Sequence, residues 1–191
     1  MKVIAFACLA LLASPQAAWG QHDPKTPSGR PPRVSQESNL PLSQLRVSGR
    51  VYVGDPAPDF MLTASKGRDV TLSQYRGNWL LLHFASDRKD FAMLRDAHAE
   101  LAQMGMLLVG ICKDKPQGLR SFAQRESIAF ELLADATGEI SAIYGLYDHE
   151  RATSRAGFVV VDRNGIVRLA LMGQVPPQQV AELARFTMTG F

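Results

Sequence analysis

An α/β domain over residues 51–191, with a central mixed sheet covered by helices on both faces, is the expectation from three features of the sequence. Two uninterrupted apolar runs, Trp79–Phe84 and Met106–Ile111, have the length and composition of strands buried on both sides. Each is followed by a segment with the spacing of an amphipathic helix, which implies parallel neighbours joined by crossovers. Near the end, Asn164-Gly165 separates two further apolar runs, the strongest short signal for an antiparallel hairpin.

The elements follow in order. Asp59–Thr63 and Asp69–Leu72 flank the turn residues Ser65-Lys66-Gly67 and predict an N-terminal β-hairpin. Ser73 opens a short helical turn that Gly77-Asn78 ends. After the strand Trp79–Phe84, a helix is expected over 90–103, with Phe91, Leu94, Leu101 and Met104 on one stripe and Gly105 as its stop. Met106–Ile111 is the second buried strand. Gly118–Glu126 reads as a helix with Leu119, Phe122 and Ala123 inward, Phe130–Leu133 as a short strand, and Thr137–Tyr144 as a helix closed by Gly145. Gly157–Val161 and Ile166–Leu171 form the late hairpin, and Pro176-Pro177 opens a last helix running to about Phe186.

The first fifty residues have a different texture. Lys2, the apolar run Val3–Ala13 and the small residues of Ala18-Trp19-Gly20 are the three parts of a secretory signal peptide, so export with cleavage near Gly20 is expected, to a periplasmic or extracellular destination. The run is too short to span a bilayer, which takes about 20 residues, and no later stretch is a transmembrane candidate. Residues 21–50 are rich in Pro, Ser, Gln and Arg and read as a disordered linker. They carry a net charge of +3, whereas residues 51–191, with 15 basic and 16 acidic side chains, are nearly neutral. The basic character therefore belongs to the linker, and the domain lacks the cationic stripe of a nucleic-acid binder.

Six phrases run in order through the domain: Val53-Gly54-Asp55-x-Ala57-Pro58-Asp59-Phe60, Gly67-Arg68-x-Val70-x-Leu72-Ser73-x-Tyr75-Arg76-Gly77-Asn78, Val109-Gly110-Ile111-x-x-Asp114, Phe130-x-Leu132-Leu133-x-Asp135, Tyr144-Gly145 and Asp162-x-x-Gly165. Together they resemble the alkyl hydroperoxide reductase and thiol-specific antioxidant proteins, the peroxiredoxins. Their order and spacing are those of the family, over about residues 53–186. The resemblance implies a thioredoxin-like fold and, for intact members, a redoxin-type antioxidant oxidoreductase activity.

The active-site phrase of that family, Pro-x-x-x-Thr-x-x-Cys, departs here. Laid onto the sequence after Leu81-Leu82-His83-Phe84, it places Ser86 at the proline, Asp90 at the threonine and Met93 at the cysteine. Peroxide reduction needs a thiolate held by a helix N-terminus and a nearby cation. A thioether has no proton to lose, and a carboxylate at the threonine position brings negative charge where positive is wanted. Phe84-Ala85-Ser86 also resembles the Phe-x-Ala-Ser-x-Cys-x-x-Cys of thioredoxin-like lipoproteins and cytochrome-maturation proteins. In that register the cysteines fall on Arg88 and Phe91, and the site is again without sulfur chemistry.

Two candidates remain. Arg155, before Phe158-Val159, is the counterpart of the family's arginine, its alternative being a surface residue at a strand start. Cys112, the one cysteine left after removal of the leader with Cys8, ends a strand at the edge where open α/β sheets bind ligands. It is either a displaced redox thiol, with Lys113 and Lys115 to lower its pKa, or a small buried hydrophobe. His83, His98 and His149 match no metal motif, and neither metal nor cofactor is expected.

The expectation is therefore an exported redoxin-domain protein without peroxidase activity. The alternatives are a thiol-dependent antioxidant acting through Cys112, and a ligand- or peptide-binding module on the vacated cleft. A homodimer or a thiol-bearing partner protein suits either.

Overall fold

The computed structural model describes residues 51–190. The leader and linker readings fall on residues 1–50, outside the described residues.

Strand β1 (Met61–Ala64) pairs antiparallel with β2 (Asp69–Thr71), the expected N-terminal hairpin. A 3-10 turn at Leu72–Tyr75 leads into β3 (Trp79–Ala85). Next come α1 (Asp90–Met93), α2 (Arg95–Gln103), β4 (Met106–Cys112), α3 (Pro116–Arg125), β5 (Glu131–Ala134) and α4 (Glu139–Ile143). A two-stranded ribbon of β6 (Tyr147–Asp148) and β7 (Thr153–Ser154) precedes β8 (Gly157–Val161), β9 (Val167–Met172) and α5 (Pro177–Thr189).

The seven-stranded sheet has the order β2-β1-β5-β4-β3-β8-β9. Only β3, β4 and β5 run parallel, and both flanks are antiparallel. Side-chain alternation along the central strands feeds two cores. Leu81, Ala85, Leu108, Cys112, Phe158 and Val160 face one layer, with Phe91, Leu101, Leu119, Phe122 and Val180 packed over them. Leu80, Leu82, Phe84, Val109, Ile111 and Val159 face the other, against Phe60, Tyr144 and Leu146. Burial on both faces, complete but for Leu107 and the half-buried Trp79, is why β3 and β4 read as near-continuous apolar runs rather than alternating ones.

Two departures from the sequence reading have local causes. The helix expected over 90–103 is divided at Leu94, whose φ of −92° and ψ of 0° tighten the chain between α1 and α2. Phe91 and Leu94 are both buried, and the tightening fits their spacing, because residues three apart eclipse in 3-10 geometry. The β6–β7 ribbon has no sequence signal, since its strands are two polar-rich residues each. It is made by side chains: the Asp148 carboxylate accepts from the Glu150 and Arg151 amides, and Lys113 Nζ donates to the Ala152 carbonyl at 2.8 Å.

One glycine sets the position of α1. A Cβ at Gly110 of β4 would lie 2.6 Å from the Phe91 ring and 2.7 Å from Leu132, so only glycine lets the helix approach this closely. The Phe91 ring fills that gap. His83, across from Gly110 in β3, stacks on Phe158 with ring centroids 4.4 Å apart and meets Phe91 edge-on at 5.6 Å.

Candidate functional site

The carboxyl ends of β3 and β4 and the start of β8 converge on one edge of the sheet. Ser86 follows β3, Cys112 ends β4, and Arg155 precedes β8. In the antiparallel β3–β8 pair Phe84 faces Gly157, and continuing that register by two residues sets Arg155 level with Ser86.

The β3–α1 loop is closed on itself. Asp90, in the first turn of α1, accepts from the Ser86 hydroxyl at 2.9 Å and from the Asp87 amide at 3.3 Å through the same Oδ2. Asp87 in turn accepts from the Lys89 amide at 2.8 Å. The carboxylate at the threonine position thus satisfies the loop's own donors. Arg88 reaches across to Asp114, 2.8 Å away, in the β4–α3 loop. A Cβ at Gly118 would meet Asp114 at 2.7 Å and Arg88 at 3.0 Å, so this ion pair lies against bare helix backbone. Met93 ends α1 with 46% of its surface exposed.

Cys112 sits in a different environment. Its rungs are Ala85 on β3 and Ala134 on β5, and it is only 3% exposed. Burial, then the negative charges of Asp114, Asp87 and Asp90, push its thiol up to about 12, with Arg88 opposing. The expected help from lysines does not materialise at Lys113, because its ammonium is directed to the Tyr147 hydroxyl and the Ala152 carbonyl, each at 2.8 Å.

Arg155 donates to Asp148 at 2.9 Å and approaches the Met172 sulfur at 4.0 Å. The guanidinium hydrogen bond, followed by the Arg151 amide, holds the Asp148 carboxyl below its ordinary range. Met172 packs against the core layer of Phe84 and Tyr144, whereas Cys112 belongs to the layer of Phe91 and Leu119. The structure therefore brings Ser86 and Asp90 together but separates Cys112 from Arg155 by the sheet.

Several residues of this edge escape sequence reasoning. Asp148, the partner of Arg155, lies in a ribbon with no periodic pattern. Asp114 was legible only as a family-like phrase residue, and its pairing with Arg88 spans 26 positions. Buried Asp135 accepts from the Ser141 amide and hydroxyl at 2.8 and 2.7 Å, and Ser154 donates on to Ser141 at 3.1 Å, so the ribbon is fastened to α4 from below. Among the described residues, no group of three His, Cys, Asp or Glu is placed to hold a metal ion, and no helix is long and apolar enough to cross a membrane.

Comparison with known proteins gives a consistent picture. The sequence model of the AhpC/TSA family matches residues 53–170. A Mycobacterium tuberculosis protein bearing the peroxiredoxin name is 30% identical over 148 residues, covering 71% of this chain and 94% of the relative. The chloroplastic peroxiredoxin Q of Sedum lineare is 27% identical over 149 residues, covering 74% and 80% of the two chains. Among solved structures, the peroxidoxin BcpB of M. tuberculosis superposes with a TM-score of 0.64 at 23% identity, over 73% of this chain and 97% of that one. The reduced 2-Cys peroxiredoxin of Plasmodium vivax gives 0.62 at 25% identity, over 72% and 81%.

Proposed function

The chain belongs to the AhpC/TSA family, the peroxiredoxin-like antioxidant oxidoreductases with a thioredoxin-like fold, and from that membership we propose that it is an exported redoxin-domain protein without peroxidase activity of its own. The observation that carries this reading is the short helix α1. The exposed sulfur there is the Met93 thioether, and the carboxylate beside it at Asp90 is engaged by Ser86 and Asp87. Thiol-dependent reduction of a peroxide needs a thiolate that attacks one peroxide oxygen, expels the other, once protonated, as water or alcohol, and is left as a sulfenic acid. Met93 cannot ionise. Cys112 can, but it is buried, it has acidic neighbours, and it lies across the sheet from Arg155. Export rests on the leader-like composition of residues 1–20, and fractionation of cells expressing the tagged chain checks it.

The test is consumption of hydrogen peroxide and of an alkyl hydroperoxide by the purified chain with a dithiol reductant. The expected result is no turnover above the protein-free rate and no label at Cys112 from a sulfenic-acid probe. Turnover that vanishes in Cys112→Ser overturns the reading in favour of a thiol-dependent antioxidant. Turnover that appears only with an added thiol protein assigns the chemistry to a partner.

A further inference from the structure

The end of the sheet opposite the candidate site carries an open groove of about 560 Å³ between the start of β3, β9 and the last turn of α5. Its apolar lining is Val53, Trp79, Leu169, Phe186 and Met188, with the Asp162–Arg168 ion pair, 2.7 Å, at its rim. Val53 and Phe186 are 58% and 56% exposed, two of the seven large apolar side chains left at the surface of the described residues. Their convergence on one concave surface separates them from the single exposed apolar residues found on any protein.

Val53 is also close to the first described residue, so the polypeptide enters the domain beside this groove. The sequence just ahead of it changes character. Between Gln21 and Asn39 the only large aliphatic residue is Val34, whereas Leu40-Pro41-Leu42-Ser43-Gln44-Leu45-Arg46-Val47 holds four in eight positions. Leu45 lies eight residues before Val53, a reach of up to about 28 Å, enough to cross the groove while Arg46 stays in water.

We propose that residues 40–47 dock in this groove, with Leu42 and Leu45 as the anchors against Trp79, Phe186 and Met188. The segment is chemically suited to the place: it is aliphatic and tethered at the groove's edge, and the ring-fixed φ of Pro41 leaves it less entropy to lose on binding. On this arrangement the spacer expected over residues 21–50 ends near Asn39, and the globular unit begins about ten residues before the family-like phrase at Val53. The inference is independent of whether the domain retains redox chemistry.

A photo-crosslinking residue, p-benzoylphenylalanine, placed at 186 in the full chain tests it. The expected product is an intramolecular link to a peptide within 40–47, with a yield independent of protein concentration. A link to a second copy, rising with concentration, a link to another part of the chain, or no link at all overturns the proposal. A second measurement uses the chain carrying Trp19→Phe, in which Trp79 is the sole tryptophan. Leu42→Asp with Leu45→Asp is expected to shift its emission to the red and lower the melting temperature by about 3 °C or more. Unchanged emission and melting overturn the proposal, because substitutions in an undocked segment leave the domain untouched.

Discussion

The end of α1 and the end of β4 each hold a sulfur atom, and they divide between them what one redox site needs together. On α1 the sulfur of Met93 is open to solvent, one short turn after a polar loop, but it has no proton to give up. At the end of β4 the sulfur of Cys112 has that proton, but it is enclosed by Ala85, Ala134 and their layer, where burial and three nearby aspartates hold the proton on. The cation that would assist, Arg155, is on the far face and committed to Asp148. Reactivity in a thiol thus depends on ionisability, access and field coinciding at one atom. This chain keeps the backbone frame of such a site and distributes the requirements over three places.

Returning them to one place should have the largest effect. In Ser86→Pro/Asp90→Thr/Met93→Cys the sulfur at 93 can ionise and the competing carboxylate is gone. Peroxide consumption with a dithiol reductant is expected to rise by about 100-fold or more over the parent, within the range that removing an anion and supplying a nucleophile can give. If the triple variant is as silent as the parent while melting normally, residues beyond these three have been lost.

Phe91 fills the gap over Gly110, in the same core layer as Cys112. Truncation in Phe91→Ala leaves a large cavity and is expected to cost about 3–5 kcal/mol, lowering the melting temperature by roughly 10 °C. Alkylation of native Cys112 should accelerate at the same time, which calorimetry and thiol labelling measure on one sample.

His83 lies under the same ring, 3% exposed, and its Nδ1 has no hydrogen-bond partner. Burial lowers its pKa to about 3. The unfolded chain takes up a proton near pH 6.5 while the folded chain does not, so this residue's share of stability is complete above about 6.5. It declines as the pH falls toward 3, by about 1.4 kcal/mol per unit. Urea titrations between pH 4 and 7 should show this slope, reduced in His83→Leu, which also removes an orphaned polar atom and should not lower stability at pH 7.

The smallest effect belongs to the closed loop. Ser86→Ala removes one exposed hydroxyl–carboxylate bond and should cost about 0.5–1 kcal/mol without altering Cys112 labelling. Parallel changes in labelling would show that loop and thiol are coupled after all.

The sequence made the sheet legible because its central strands advertise burial on both faces, and the Asn164-Gly165 turn fixed the antiparallel flank. Ser86, Asp90 and Met93 were legible as departures from a family phrase. What the sequence concealed were relations set by parity and by distance. Cys112 and Arg155 stand at the same sheet edge, yet alternation along β4 and β8 sends them to opposite layers. The β6–β7 ribbon is specified by Asp148 closing its own turn and by Lys113 and Ser154 bonding between elements, and such hydrogen bonds leave no periodic trace.

Gly110 carries a consequence for how such a protein changes over time. Since the absence of one side chain in β4 makes the socket for Phe91, the address of α1 is written in the sheet and not in the loop that precedes it. The positions at 86, 90 and 93 can then be rewritten while the scaffold around them stays put. A lineage can retire a reactive centre there, or reinstate one, by exchanging surface letters alone.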